Sequence, residues 1–387
     1  MDMAGSFVYD PASPDFPDRA LEIYRGLRDE HPVYRCEARG SWAVSRYDDV
    51  RALAADPETF SSEGSSISIG LLPMIQQMDP PRHHALRNLL SSAFTPRRVA
   101  AMEPRVRELA RGLLGAFVER GHCDLLREFS SQLPSLVIGE LIGIPPERRE
   151  AFLEWTEVLI TANPADAKGW KANPFEQIYS EFGKLLELRR VERRDDLMSA
   201  LIDAELDGER LSHEELLGFC FLLVVGGNDT TTNLIANAAV LLAQHPDQRA
   251  AIVADPSLLP GAVEEVLRYD APTQALPRIA TRDFELHGQR IAAGEEVSLV
   301  WGAANHDERR FEDPDRFDIR RQENRHLALG YGVHFCMGAH LARLEGRVAL
   351  EELLKAIPNY QLSDKPEWQP SPWARAYASV PIAFTRS

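Results

Sequence analysis

Apolar residues in this chain recur mainly every third or fourth position, which is the spacing of helices with one buried face. Arg19 to Glu30 follows it as a short amphipathic helix behind a start rich in Pro and Asp. Between about residues 84 and 270 the spacing persists: Leu86, Leu89, Leu90 and Ala93, then Val106, Leu109, Leu113 and Leu114, then Leu136, Val137, Leu141 and Ile142. Alternation with period two is confined to Gly40 to Arg46 and Phe284 to Val300, which read as half-buried strands, the second punctuated by Gly288 and Gly294. Ser61 to Gln77 breaks both periods with Gly, Ser and Pro and reads as a loop with an apolar tip. There is no fixed-period repeat and no Pro/Ser-rich linker, so the expectation is a mainly α fold with a minor β region, arranged as one unit over residues 1–387.

The longest predicted element starts at Ser212, where Ser212-His-Glu-Glu215 is a capping box. Leu216, Phe219, Leu223, Gly227, Leu234, Ala238 and Leu242 then continue one face until Pro246 forbids further helix. At 1.5 Å per residue such a helix is about 50 Å long, and it is apolar nearly all round, as a central buried element is.

The middle of that helix breaks the pattern with Gly226-Gly227-Asn228-Asp229-Thr230-Thr231-Thr232. Two glycines cost roughly 2 kcal/mol of helix stability relative to alanine, and the polar side chains fall where a core is dry. Two readings stand side by side. In one, the glycines admit a crossing helix and the threonines bond back to carbonyls one turn earlier. In the other, the glycines open a groove for a small ligand, to which Asp229 and Thr230 hand protons.

Composition narrows the field. With 44% hydrophobic and 26% charged residues the chain is globular, and its net charge of −16 disfavours nucleic acid and anionic membrane. No secretory signal and no membrane-length apolar run is visible, so the expected location is the cytoplasm. Cys36, Cys123, Cys220 and Cys336 are too dispersed for a disulfide framework or a four-cysteine zinc site. Cys336 differs from the rest. It sits in a glycine-punctuated loop, Gly330 to Gly338, directly before a helix whose apolar face is Leu341, Leu344, Val348, Leu350 and Leu353. A helix N-terminus stabilises a thiolate, so Cys336 suits an iron ligand or a nucleophile; an inert buried cysteine and a Cys-His hydrolase are the other readings.

Two weaker signals complete the set. Glu265 and Arg268 lie one helical turn apart, the spacing of an ordinary surface pair. Asp79-Pro-Pro-Arg-His83 followed by Arg87 puts basic groups at i and i+4, fit for an anion or simply for solvent.

Together these segments resemble the cytochrome P450 haem-thiolate monooxygenases of the soluble bacterial type. The likeness runs over nearly the whole chain, to Tyr377 to Ile382. The Asp79 to His83 motif with Arg87, the Gly226 to Thr230 segment, Glu265 with Arg268, Pro314-Asp-Arg316-Phe317 and the Gly330 to Gly338 loop stand in the family's order. The resemblance implies a single-domain fold with a long central helix crossing a haem b, with Cys336 as axial thiolate. It implies His83, Arg87, Arg278 and His334 as partners of the haem propionates, and Glu265, Arg268 and Arg316 as a buried ion-pair network. Asp229 and Thr230 become the acid and alcohol that guide protons during O2 cleavage. One position departs from the family: seven residues before the cysteine, Leu329 replaces a Phe, which bears on redox potential and haem retention.

The implied activity is insertion of one oxygen atom into a lipophilic small molecule. No dinucleotide fingerprint, P-loop or ferredoxin-like cysteine run occurs, so the expectation is no fused reductase and electrons from an external ferredoxin and ferredoxin reductase. Arg97, Arg98, Arg343 and Arg347 are candidates for a basic docking patch. Leu222, Val225, Gly226, Ala275 and Leu276 are expected to line the substrate pocket, with Ile67 to Met78 as its roof and Ala376 and Tyr377 at its side. The alternatives are a peroxide-driven peroxygenase, which has no need of the acid and alcohol, and a non-catalytic haem sensor.

Overall fold

The computed structural model describes residues 7–66, 74–91, 94–161, 174–194, 196–206, 208–369 and 371–385. Ala93 and the 67–73 part of the predicted loop and roof lie outside them. The chain forms two compact units, each assembled from three stretches: Met1–Ser68, Pro260–Cys336 and Trp368–Ala376 in one, Ile69–Leu259, Met337–Glu367 and Tyr377–Ser387 in the other.

The first unit is built on a five-stranded sheet in the order Val33–Cys36, Ser41–Val44, Glu296–Leu299, Leu276–Ala280, Phe60–Ser61. All its pairings are antiparallel except Ser41–Val44 with Glu296–Leu299. Gly40, at φ +63°, closes the short connection between the first two strands, a conformation an L side chain resists. The sequence predicts a half-buried strand here, yet all four residues of Ser41–Val44 are buried. Trp42 and Val44 pack into one core with Val50, Phe60, Val297, Leu299 and Trp301. Ala43 packs on the other side with Phe16, Tyr24 and Leu27 of the helix Phe16–Asp29. The alternation marks one buried face, and the helix covers the other, so the strand is buried on both.

The second unit is helical. Its axis is the predicted long helix, His213–Gln244, whose 32 residues span about 48 Å. The capping box is formed: the Glu215 amide donates to Ser212 Oγ at 3.1 Å, and the Ser212 amide donates to Glu215 Oε2 at 2.9 Å. The helices Gln132–Ile142, Arg149–Thr161 and Ala339–Ala356 pack against it. Two strand pairs interrupt the predicted all-helical stretch. His122–Asp124 joins the C-terminal strand Pro381–Phe384, a partner far away in sequence that no local period displays. Glu205–Leu206 and Glu209–Arg210 form a small hairpin.

Ala339–Ala356 also packs on Pro96–Gly115 through a row of ion pairs: Arg107 with Glu351 at 3.0 Å, Arg111 with Glu352 at 2.7 Å and Arg347 with Glu103 at 2.5 Å. Arg347 is therefore charge-matched rather than part of an uncompensated basic patch, while Arg97 and Arg98 are exposed. Among the described residues no helix is long and apolar enough to cross a membrane.

Candidate functional site

Between Gly218 and Leu242 the residues of the long helix are buried except for Leu222, Val225, Gly226, Gly227, Asp229 and Thr230. Leu222, Val225, Gly226, Asp229 and Thr230 are spaced by three and four and so share one stripe, which among the described residues is the side open to a ligand. The two glycines divide the work that the sequence left undecided. A Cβ on Gly227 would stand 2.5 Å from Ile138 Cδ1 and 2.9 Å from its Cγ1, so this glycine serves the crossing of Gln132–Ile142. Among the described residues, a Cβ on Gly226 would meet only Leu222 of its own helix, at 3.7 Å, so this glycine leaves the stripe bare. Gly227→Ala is expected to lower stability by about 1 kcal/mol or more through overpacking. Gly226→Ala should raise it by up to about 1 kcal/mol through helix propensity. Opposite shifts in the urea midpoints of the two variants check this division.

Polar side chains sort the same way. Asn228 is 1% exposed, and its Oδ1 accepts from Ser135 Oγ at 3.0 Å and from Thr232 Oγ1 at 3.4 Å, on the packed side. Thr230 alone of the three threonines lies on the stripe, donating to the Gly226 carbonyl at 2.9 Å. Asp229 Oδ1 accepts from Asn233 Nδ2 at 3.2 Å, and burial pushes its carboxyl up to about 6. Such an acid still holds its proton in mildly acidic solution and gives it up near neutrality. In the same unit, helix Arg82–Ser91 places His83 and Arg87 one turn apart. Burial, with Arg87 and His84 adding to it, pushes His83 down to about 4, so at neutral pH it offers an uncharged imidazole.

The cysteine loop belongs to the sheet unit, and its shape is set by glycines. Gly330 and Gly332 have φ of +73° and +69°, and a Cβ on Gly332 would stand 2.6 Å from the Ala54 carbonyl oxygen. Between them and the cysteine, a 3-10 turn over Gly332–His334 brings His334 Nε2 to 3.0 Å from Ser62 Oγ. The Cys336 amide donates to the Leu329 carbonyl at 2.8 Å, so Leu329 anchors the loop through its backbone whatever its side chain. The other cysteines are buried: burial raises the Cys36 thiol and pushes Cys123 and Cys220 up to about 12. Only Cys336 is partly exposed, so of the four it alone fits a thiolate ligand. Arg278 is buried in the strand Leu276–Ala280, preceded by buried Ala275 and half-buried Leu276. Ala376 and Tyr377 are both buried.

Glu265 and Arg268 are no surface pair; both are 0% exposed. Arg268 Nε and Nη2 donate to the two Glu265 oxygens at 2.8 Å each, and Nη1 reaches the carbonyls of Asn305 and Pro314. Arg316 does not join as predicted. Its side chain is 69% exposed and lies 3.7 Å from Asp318, while its backbone carbonyl accepts from Arg268 and Arg321. The second guanidinium on Glu265 is that of Arg321, at 3.1 Å, and Asn324 and the Asp318 amide complete the shell. Sequence reasoning missed Arg321 and Asn324 because the charged run from Asp318 to His326 reads as a solvated loop.

The chain as a whole is similar to known proteins. The cytochrome P450 family model matches residues 172–373. The monooxygenase PikC of Streptomyces venezuelae is 40% identical over 390 residues, covering 96% of this chain and 92% of its own. The vitamin D(3) 25-hydroxylase of Pseudonocardia autotrophica is 38% identical, covering 98% and 97%. Among solved structures, cytochrome P450 CYP109Q5 of Chondromyces apiculatus superposes with a TM-score of 0.90 at 39% identity, covering 98% of this chain and 99% of that one. A family whose members carry haem on a cysteine thiolate accounts for one accessible cysteine in a rigid loop and an acid beside an alcohol on a buried helix: the chain belongs to the cytochrome P450 monooxygenases.

Proposed function

We propose that the protein hydroxylates a lipophilic small molecule, with haem b held by Cys336 and electrons from an external ferredoxin and its reductase. The substrate C–H becomes C–OH, the second atom of O2 leaves as water, and two electrons and two protons are consumed. When bound, the haem supplies the activation of O2. The chain's own residues do the rest. Arg87 and Arg278 supply cationic partners for the propionates, with the His83 and His334 imidazoles as hydrogen-bonding partners. Asp229 releases a proton near neutral pH, and the Thr230 hydroxyl, fixed on the Gly226 carbonyl, stands beside it on the open stripe.

That stripe carries the reading: an acid and an alcohol on the accessible side of an otherwise buried helix, with Leu222, Val225 and Gly226 as apolar neighbours. The neighbours favour lipophilic substrates over sugars or nucleotides. So do the relatives' names, among them vitamin D(3) 25-hydroxylase and steroid C26-monooxygenase, and a solved neighbour in complex with testosterone. We therefore place steroids and secosteroids first, ahead of fatty acids and macrolides.

Titration of the ferric holoenzyme with testosterone, hexadecanoic acid and a macrolide tests the substrate class. A saturable Soret shift with testosterone supports it, and a shift with hexadecanoic acid or the macrolide alone overturns the order. Thr230→Ala tests proton delivery: product per electron should fall about tenfold or more, a loss typical of removing a positioned proton-transfer group. Unchanged product per electron would refute the role. The pH dependence has a fixed sign. Asp229 is protonated below about 6 and ionised above it, so product per electron should fall as pH rises through that value and stay flat in Asp229→Asn. Because the folded chain binds this proton more tightly than the unfolded chain, Asp229→Asn should also gain stability above pH 6.

A further inference from the structure

Asn233 lies one helical turn beyond Asp229, on the long helix, and is 2% exposed. Its Nδ2 donates to Asp229 Oδ1 at 3.2 Å. A side-chain amide nitrogen can only donate, so Oδ1 is committed as an acceptor. A carboxylic acid has one O–H, and with Oδ1 occupied its proton belongs on Oδ2. Thr230 cannot take over this task, because its hydroxyl is turned back to the Gly226 carbonyl. Burial strengthens the binding of the Asp229 proton and the Asn233 amide weakens it.

We propose that Asn233 is a positioning residue for proton delivery, holding the Asp229 carboxyl in one rotamer with Oδ1 occupied so that the mobile proton is carried by Oδ2. The inference rests on the reading of Asp229 as proton donor and deepens it. Residues 229 and 233 then act as one device. The amide fixes which oxygen gives the proton, and it makes the proton easier to release than burial alone would.

Infrared titration of the ferric holoenzyme tests this without turnover. The C=O stretch of protonated Asp229 is identified by 13C-aspartate labelling and by its loss in Asp229→Asn. In Asn233→Leu, which removes the donor and keeps the volume, Asp229 should bind its proton about tenfold more tightly, as expected for losing one hydrogen bond to a charged acceptor. Asn233→Gln, which keeps an amide N–H, should return the titration toward wild type. An Asp229 titration that is the same in Asn233→Leu and wild type overturns the proposal. Should Asn233→Leu not fold, the wild-type band decides alone: two C=O frequencies at one pH, the mark of a carboxyl in two rotamers, contradict a fixed one. The underlying reading fails differently, as unchanged product per electron in Asp229→Asn.

Discussion

Glu265→Gln should cost about 3–5 kcal/mol, the range for leaving a buried charge without its partner. Glutamine matches glutamate in size but carries no charge, so Arg268, fully buried, and Arg321, 10% exposed, would lose their shared anion. Its NH2 group would also face donors, since the Asp318 amide, Arg321, Asn324 and Arg268 all point hydrogens at this carboxylate. With domain stabilities of about 5–15 kcal/mol, a loss of that size leaves a substantial unfolded fraction at moderate temperature. Arg316→Ala should change stability by less than about 0.5 kcal/mol, because its exposed side chain does not touch the network and its backbone carbonyl survives the substitution. Urea unfolding of the two variants at equal haem load gives the comparison. Similar losses in both would mean that the network lies elsewhere.

Cys336→Ser should remove thiolate ligation completely. A serine hydroxyl does not ionise near neutral pH, whereas a thiolate is the species that binds iron. The reduced, carbon monoxide-treated variant should lack the red-shifted Soret band of a thiolate-ligated haem. Its circular dichroism should be unchanged, because the loop is held by the Leu329 carbonyl and the Gly332 approach to Ala54 rather than by the sulfur. Cys36→Ala, Cys123→Ala and Cys220→Ala should keep the band. A band that survives Cys336→Ser and disappears in one of the others would relocate the ligand.

Much of this was legible in the chain. The long helix announced itself because its cap is local, Ser212 to Glu215, and its polar interruption stands out against the apolar-rich residues on either side. Cys336 was distinguishable from three other cysteines by its glycines. What sequence could not settle depended on neighbours distant along the chain. Gly226 and Gly227 look alike until Ile138 stands against one of them. Asn228 reads as part of the reactive segment until Ser135 turns out to hold it on the packed side. Arg316 and Arg321 compete for the same carboxylate, and only the path of the intervening loop decides that one offers a carbonyl and the other a guanidinium. Ser41–Val44 alternates like a half-buried strand, and only the helix Phe16–Asp29, distant along the chain, covers its second face.

The most direct test of the account is product formation under 18O2. The holoenzyme is supplied with NADH, a ferredoxin, a ferredoxin reductase and testosterone, or whichever of hexadecanoic acid and the macrolide shifts its Soret band. Mass spectrometry should find one 18O atom in each product molecule and none derived from water. Product carrying oxygen from water or from added hydrogen peroxide, with O2 and electrons left unused, would contradict it.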